Sequence, residues 1–327
     1  MKRAVQNLII ISIMTIFSTQ AVGECLGNKN RNKIISSTEN IQNNLEVANF
    51  LLRSASKENF TLSTKSIAKD DKRIRKHTES PEYLDAVLKI VTYLKGGKVL
   101  SCSGALIGSD INQSSRVAIT ALHCGVFNHD VEKIEVYATT KNKVIKRMAK
   151  KSDQANFEND WAIIVLDEVI PNEIIKPILI FTDPEDRGDT SEDLAFEYEG
   201  EITVAGYSTD AEIGGDGRYM TYETFDTEFI FEADEHYYQY GHEGDFGMVR
   251  SFTYPGASGG PVIANIDYDE NGTMRPYIAS LIKGGFNRDT QNFHSSGNGV
   301  KGSLKTKVVP MERFQEASLK VIGQYNK

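Results

Sequence analysis

The chain has 327 residues, a formal net charge of −8 and three cysteines. That length can bury one or two sizeable cores, and 40% hydrophobic with 25% charged residues is ordinary globular composition, which excludes a disulfide mini-scaffold and a disordered tail. The acidic balance argues against a nucleic-acid partner, which would require a basic face to meet phosphates.

At the start, Met1-Lys2-Arg3 precedes the apolar run Leu8 to Phe17 (LIIISIMTIF) and the small, polar stretch Ser18 to Gly23. A positive start, an apolar stretch of about ten residues and an Ala-x-Gly end read as a cleavable secretory signal over residues 1–23. The run is far shorter than the roughly 20 apolar residues a membrane span needs, and Glu24 before Cys25 departs from the small residue of a lipoprotein signal. The expected product is secreted, extracellular or periplasmic, with no membrane association after signal cleavage. Disulfides persist in such a compartment.

Residues 24–80 read as a basic leader: positions 25–80 hold eleven Lys/Arg and six Asp/Glu, a net of +5. Residues 183–246 hold twenty Asp/Glu and two Arg, a net of −18. These opposite charges nominate the leader as an intramolecular propeptide docked on the acidic loops and cut near Arg73 to Lys76. The alternative is a solvated leader beside a solubilising acidic surface.

Past the leader, Tyr83 to Lys95, the turn Gly96-Gly97-Lys98 and Val99 to Gly108 predict strand, tight turn and strand. Val117 to Ala121 and Trp161 to Leu166 are continuous apolar runs of buried-strand length. Pro261 to Ile266 and Pro276 to Ile282 flank Asp267 to Gly272 as a hairpin would, and Met311 to Ile322 predicts a terminal helix after Pro310. Many short strands with one closing helix point to an all-β barrel or sandwich over residues 81–327.

Three segments carry chemistry. They are Ala118 to Cys124 (AITALHC), preceded by Cys102 to Gly108; Asn159 to Leu166 (NDWAIIVL); and Pro255 to Val262 (PGASGGPV). In these residues the sequence resembles the trypsin- and chymotrypsin-like serine peptidases. That family has a His-Cys pair closing an apolar strand, an Asp opening another, and Gly-x-Ser-Gly-Gly-Pro around its nucleophile, in this order along the chain. The resemblance implies two packed six-stranded antiparallel Greek-key barrels with a C-terminal helix. It also implies a secreted serine endopeptidase acting on protein or peptide substrates through an acyl-enzyme, and a Cys102–Cys124 disulfide across the histidine loop. A catalytically silent binding or regulatory homologue of the same fold is the alternative function.

The chemistry explains the residue types. A serine hydroxyl is a weak nucleophile and needs a base, and the base needs a partner that fixes its tautomer. Ser258 is the candidate nucleophile, His123 the general base and then acid, and Asp160 the orienting carboxylate. The amides of Gly256 and Ser258 are the candidate oxyanion hole. No cofactor and no metal are called for, and Cys25 is left as an unpaired thiol in the leader.

Departures from the family matter too. Ala257 stands where trypsin-like zymogens carry the aspartate that receives a new amino terminus, and no Ile-Val-Gly-Gly start lies near Tyr83. The base of the specificity pocket falls at Phe252 or Thr253, so trypsin-type selection of Lys or Arg is not expected. Thr253 and Lys283 are candidate substrate-binding residues for an acidic side chain; the alternative for Lys283 is a solvated one. Asp267-x-Asp269-x-Asn271-Gly272 matches half of a calcium loop but reaches Ile278 where a glutamate should stand, so a hairpin turn is the better reading. Arg187-Gly188-Asp189, the histidines His236 and His242, and the sequons at Asn59, Asn112 and Asn271 are read as loop features.

Overall fold

The structure, a computed structural model, describes residues 71–181, 201–226, 247–249, 251–268, 274–285 and 306–326. The secretory signal, the leader up to Asp70, Arg187-Gly188-Asp189, His236, His242, and the sequons at Asn59 and Asn271 lie outside them.

Tyr83 to Lys95 is not one strand. Pro81 begins a 3₁₀ turn over Glu82–Ala86, closed by Leu84 N–H donating to the Pro81 carbonyl at 3.1 Å, and only then does β2 (Val87–Leu94) extend. Proline's fixed φ suits the first position of such a turn, and Leu84 and Ala86 are buried beneath it. The glycine turn returns the chain as β3 (Val99–Gly108), with Leu94 N–H donating to the Lys98 carbonyl at 2.9 Å. β4 (Ser115–Ala121), β5 (Val131–Thr139), β6 (Val144–Asn156) and β7 (Trp161–Ile170) follow.

These six strands close on themselves. The antiparallel order β3-β2-β5-β6-β7-β4 returns to β3 through the β3–β4 pairing. Closure removes the unpaired edges an open sheet would present. Ile90, Leu106, Ile119, Ile163 and Ile164 are fully buried in the core, each contributing about 2 kcal/mol of apolar burial.

The second half contains β9 (Glu201–Gly206), β10 (Thr221–Asp226), β11 (Gly247–Val249), β12 (Pro261–Tyr268), β13 (Met274–Gly285) and β14 (Thr306–Pro310). They pair antiparallel in the order β10-β9-β12-β13-β14-β11. Among the described residues this set is open, so one closed barrel is seen where two were expected. β12 and β13 form the predicted hairpin, with Tyr268 opposite Met274; the tip of the candidate calcium loop, residues 269–273, lies outside the described residues. The two-residue β8 (Ile178–Leu179) pairs in parallel with both β3 and β13 and joins the two halves. The terminal helix begins later than its apolar spacing suggested: Met311–Arg313 is a 3₁₀ turn, and α1 spans Gln315–Tyr325. Among the described residues no helix is long and apolar enough to cross a membrane.

Residues 71–80, assigned above to the leader, belong to the folded body. β1 (Ile74–Arg75) pairs with β10, Arg73 is buried between Asp71 and Asp210, and Lys76 is ion-paired with Asp85. The described fold thus includes residues that precede the expected boundary at 81. Within the stretch Arg73 to Lys76, Ile74–Arg75 form the strand and both are exposed.

Glu135 on β5 shows how the first barrel manages a buried charge. Tyr93 and Tyr137 donate to its Oε2 at 2.8 and 2.7 Å, and Lys133 and Lys146 donate to Oε1 at 3.0 and 2.9 Å. Burial alone would raise its pKa, but these donors outweigh burial and bring the carboxyl from 4.5 down to about 2. A carboxyl depressed in the fold stabilises above its unfolded pKa and loses that contribution as pH falls through the folded value. Glu135→Gln is expected to cost about 2 kcal/mol at neutral pH. In urea titrations the gap to wild type should close between pH 4.5 and about 2.

Candidate active site

The register of β4 against β7 creates the centre. Ala121 pairs with Trp161, so the residues just beyond these strand ends, His123 and Asp160, become neighbours 37 positions apart in sequence. β4 ends in a 3₁₀ turn, Leu122–Cys124, that lifts His123 out of the sheet, leaving its side chain 26% exposed. Asp160 is 8% exposed and adopts a left-handed φ of 57°. Aspartate tolerates that conformation better than most residues, at a cost of about 1 kcal/mol.

The strained backbone aims both carboxylate oxygens at one residue. The His123 backbone N–H donates to Asp160 Oδ1 at 2.9 Å, and His123 Nδ1 meets Oδ2 at 2.8 Å. The Asp160 carbonyl also accepts from Leu122 N–H at 3.1 Å. Burial would raise the Asp160 pKa, but the donations and charge of His123, with the Lys283 ammonium, hold it below its ordinary value. An ionised Asp160 accepts only, so Nδ1 must carry a hydrogen, and in the neutral imidazole this leaves the lone pair on Nε2. That is the tautomer of a general base.

Cys102 and Cys124 are joined in a disulfide, as the resemblance implied. The bridge ties the histidine turn to β3 across a separation of 22 residues. Cys102, His123 and Cys124 also cluster closely enough to suggest a metal site, but both sulfurs are consumed by the bridge and cannot serve as thiolate ligands.

Ser258 lies in a turn anchored by main-chain groups. Its carbonyl accepts from Ser103 N–H at 2.8 Å, Gly259 N–H donates to the Ile282 carbonyl at 2.7 Å, and Ile282 N–H donates to the Gly260 carbonyl at 2.8 Å. Gly259 has φ 79°, and a Cβ there would lie 2.3 Å from Thr120 Oγ1 and 2.5 Å from the Ser103 carbonyl; no side chain fits. Cys124 Sγ lies 3.7 Å from the Ser258 carbonyl oxygen, which brings the histidine turn and the serine turn together. The Ser258 hydroxyl donates to the Lys283 carbonyl at 3.3 Å, a long bond for O–H···O and therefore easily exchanged.

The nominated oxyanion amides are oriented by their own peptides. The Pro255 carbonyl accepts from Thr209 N–H at 2.7 Å, and the Ala257 carbonyl accepts from Gly260 N–H at 2.9 Å. Across a trans peptide the N–H points opposite to the carbonyl, so the Gly256 and Ser258 amides are turned away from these internal donors. Between them, the Gly256 carbonyl is held by Ser103 Oγ at 2.7 Å, and that same oxygen accepts from Tyr207 N–H at 2.8 Å. Sequence reasoning passed over Ser103. Its position one residue after Cys102 was the only signal, and nothing local announces a partner more than 150 residues away.

Among solved structures the chain is similar to one named HL collagenase, with a TM-score of 0.52 at 16% identity, over 77% of this chain and 98% of that one. It is also similar to one named GrC, with a TM-score of 0.50 at 14% identity, over 76% of this chain and 98% of that one. The fold is that of the trypsin-like serine proteases. No protein-family profile matches the sequence, and no curated protein does.

Within this protease fold, the residues nominated for substrate binding have distinct surroundings. Phe252 is buried. Thr306 donates to the Ser251 carbonyl at 2.7 Å, so in the 2.8 Å contact between Thr253 and Thr306 the hydrogen comes from Thr253. Its hydroxyl hydrogen is thereby committed inside the protein, which leaves the oxygen as an acceptor. Lys283 is half-buried beside Ser258, and burial lowers its pKa against the opposing pull of Asp160.

Proposed function

We propose that the protein is a secreted serine endopeptidase that hydrolyses peptide bonds through an acyl-enzyme on Ser258. The observation that carries this reading is the two-point hold of Asp160 on His123, which fixes the base tautomer, within a fold shared with serine proteases. The Ser258 hydroxyl turns from the Lys283 carbonyl toward His123 Nε2 and gives up its proton as Oγ attacks the substrate carbonyl carbon. The carbonyl π electrons move to oxygen, and that oxyanion is met by the Gly256 and Ser258 N–H groups. Collapse expels the amine, which takes the proton from His123, and water then repeats the sequence on the ester to release the acid.

The reading extends to the ends of the chain. Residues 1–23 serve as the export signal, and the basic stretch from 24 to 70 is the candidate prosegment. Phe252, Thr253 and Lys283 remain the candidates for selecting the side chain before the cut.

A fluorophosphonate probe tests the proposal. Wild-type protein is expected to take up one label, located on Ser258 by peptide mass mapping, and Ser258→Ala none. Absence of label on wild type would sink the enzyme reading in favour of a silent homologue. A peptide library read at the residue before the cut then reports specificity.

A further inference from the structure

Arg73 is a buried cation with every side of its guanidinium engaged. Nε and Nη2 donate to Asp71 at 3.0 and 2.7 Å, Nη1 and Nη2 donate to Asp210 Oδ2 at 3.3 and 3.2 Å, and Nη1 reaches Thr221 Oγ1 at 3.3 Å. The guanidinium carbon lies 4.3 Å from the centre of the Tyr254 ring. Burial opposes the charge, and the two carboxylates more than offset it. Asp210 is anchored as firmly: its Oδ1 accepts from Ile213 N–H at 2.7 Å and Gly214 N–H at 2.9 Å.

The two groups gripped from the far half of the chain, Asp210 and Tyr254, flank a single hydrogen bond. Asp210 follows Thr209 and Tyr254 precedes Pro255, and Thr209 N–H donates to the Pro255 carbonyl at 2.7 Å. That bond turns the Gly256 amide outward. Gly256 itself has φ 92°, with space for a Cβ blocked by the Tyr207 carbonyl at 2.4 Å, so the segment follows the 207–210 backbone closely. Ala257 offers no carboxylate beside the nucleophile to receive a new amino terminus.

We propose that Arg73 is a positioning residue for the oxyanion site, a clamp from the amino-terminal segment that holds the Thr209–Pro255 hydrogen bond and through it the Gly256 amide. The inference rests on the protease reading above. It makes the segment around Arg73 an activating strap: a cation supplied from within the chain holds the loop, with no need of a freed amino terminus.

The test uses the full chain with Arg73→Met and Arg73→Lys, and Lys72→Ala as a control on an exposed neighbour. Lysine keeps a cation between the carboxylates but cannot bridge both and stack on Tyr254 at once. Arg73→Met is expected to lower kcat about a hundredfold with KM nearly unchanged, and to weaken a peptide aldehyde inhibitor by the same factor, because the hemiacetal oxygen needs the same amides. Arg73→Lys should lose about tenfold in both, and Lys72→Ala nothing. Thr209 amide exchange should quicken in both Arg73 variants, while that of Ile164 in the barrel core stays slow. If Arg73→Met does not fold, Arg73→Lys decides. Unchanged kcat and aldehyde affinity in Arg73→Lys, or a loss confined to KM, overturns the clamp. Failure of wild type to take the fluorophosphonate overturns the protease reading and the clamp together; equal labelling rates in wild type and variants overturn the clamp alone.

Discussion

The double variant His123→Ala/Ser258→Ala is expected to be no slower than either single variant, each down by about a millionfold in kcat. The two residues act on one event. Oγ cannot attack without losing its proton, and His123 has no proton to accept without Oγ, so removing either abolishes the pathway and removing the second finds nothing left to abolish. Independent contributions would instead multiply, and a double variant slower than the singles by a further large factor would show that the two residues do not work as a pair. The residual rate should stand about a thousandfold above uncatalysed hydrolysis, because the Gly256 and Ser258 amides remain. Steady-state kinetics on a purified peptide substrate, with active-site-free protein as the blank, measures all three.

Asp160→Asn should reduce kcat by about ten-thousandfold while leaving the fold and substrate affinity nearly intact. The carboxylate offers two acceptors, one to the His123 backbone N–H at 2.9 Å and one to Nδ1 at 2.8 Å. An amide keeps only one oxygen. With that oxygen on the backbone N–H, the NH₂ group faces Nδ1 and can only donate, which moves the ring hydrogen to Nε2. The base then lacks a lone pair where Ser258 needs it. The left-handed φ of 57° at this position is also comfortable for asparagine, so the backbone is not disturbed. Imidazole ¹⁵N shifts would report the reversed tautomer directly. A rate loss with the Nδ1–H tautomer unchanged would contradict this account.

The parts of the site that could be read from the sequence are the local ones. Leu122-His123-Cys124, Asp160-Trp161 and Gly256-Ala257-Ser258-Gly259-Gly260 each announce a residue type poised at the end or beginning of an apolar strand, and strand register brings the first two together. The first barrel was legible for the same reason: continuous apolar runs such as Trp161 to Leu166 have few other fates. What escaped was long-range. Arg73 lies 137 residues from Asp210, and in the sequence it was one of several basic residues in a charged cluster, indistinguishable from a processing site. The charge complementarity between leader and acidic zone was visible as a sum over many residues; that one guanidinium enters the fold depends on a β1–β10 pairing of two residues. Tyr83 to Ala86 looked like the start of a strand because its apolar content was right, and Pro81 set the turn instead.

The anchoring of Ser258 has a consequence for how such a chain can change over time. The groups that hold the Ser258 turn in place are mostly main-chain: Ser103 N–H, the Ile282 carbonyl and N–H, and the Gly260 amide. Every amino acid except proline supplies those atoms, so substitutions along β3 and β13 leave the anchors standing as long as the strands themselves persist. Side-chain identity is demanded at only a few points, such as the two glycines after Ser258 and the hydroxyl of Ser103. A scaffold referenced to its own backbone tolerates extensive change in sequence while its coordinates stay put.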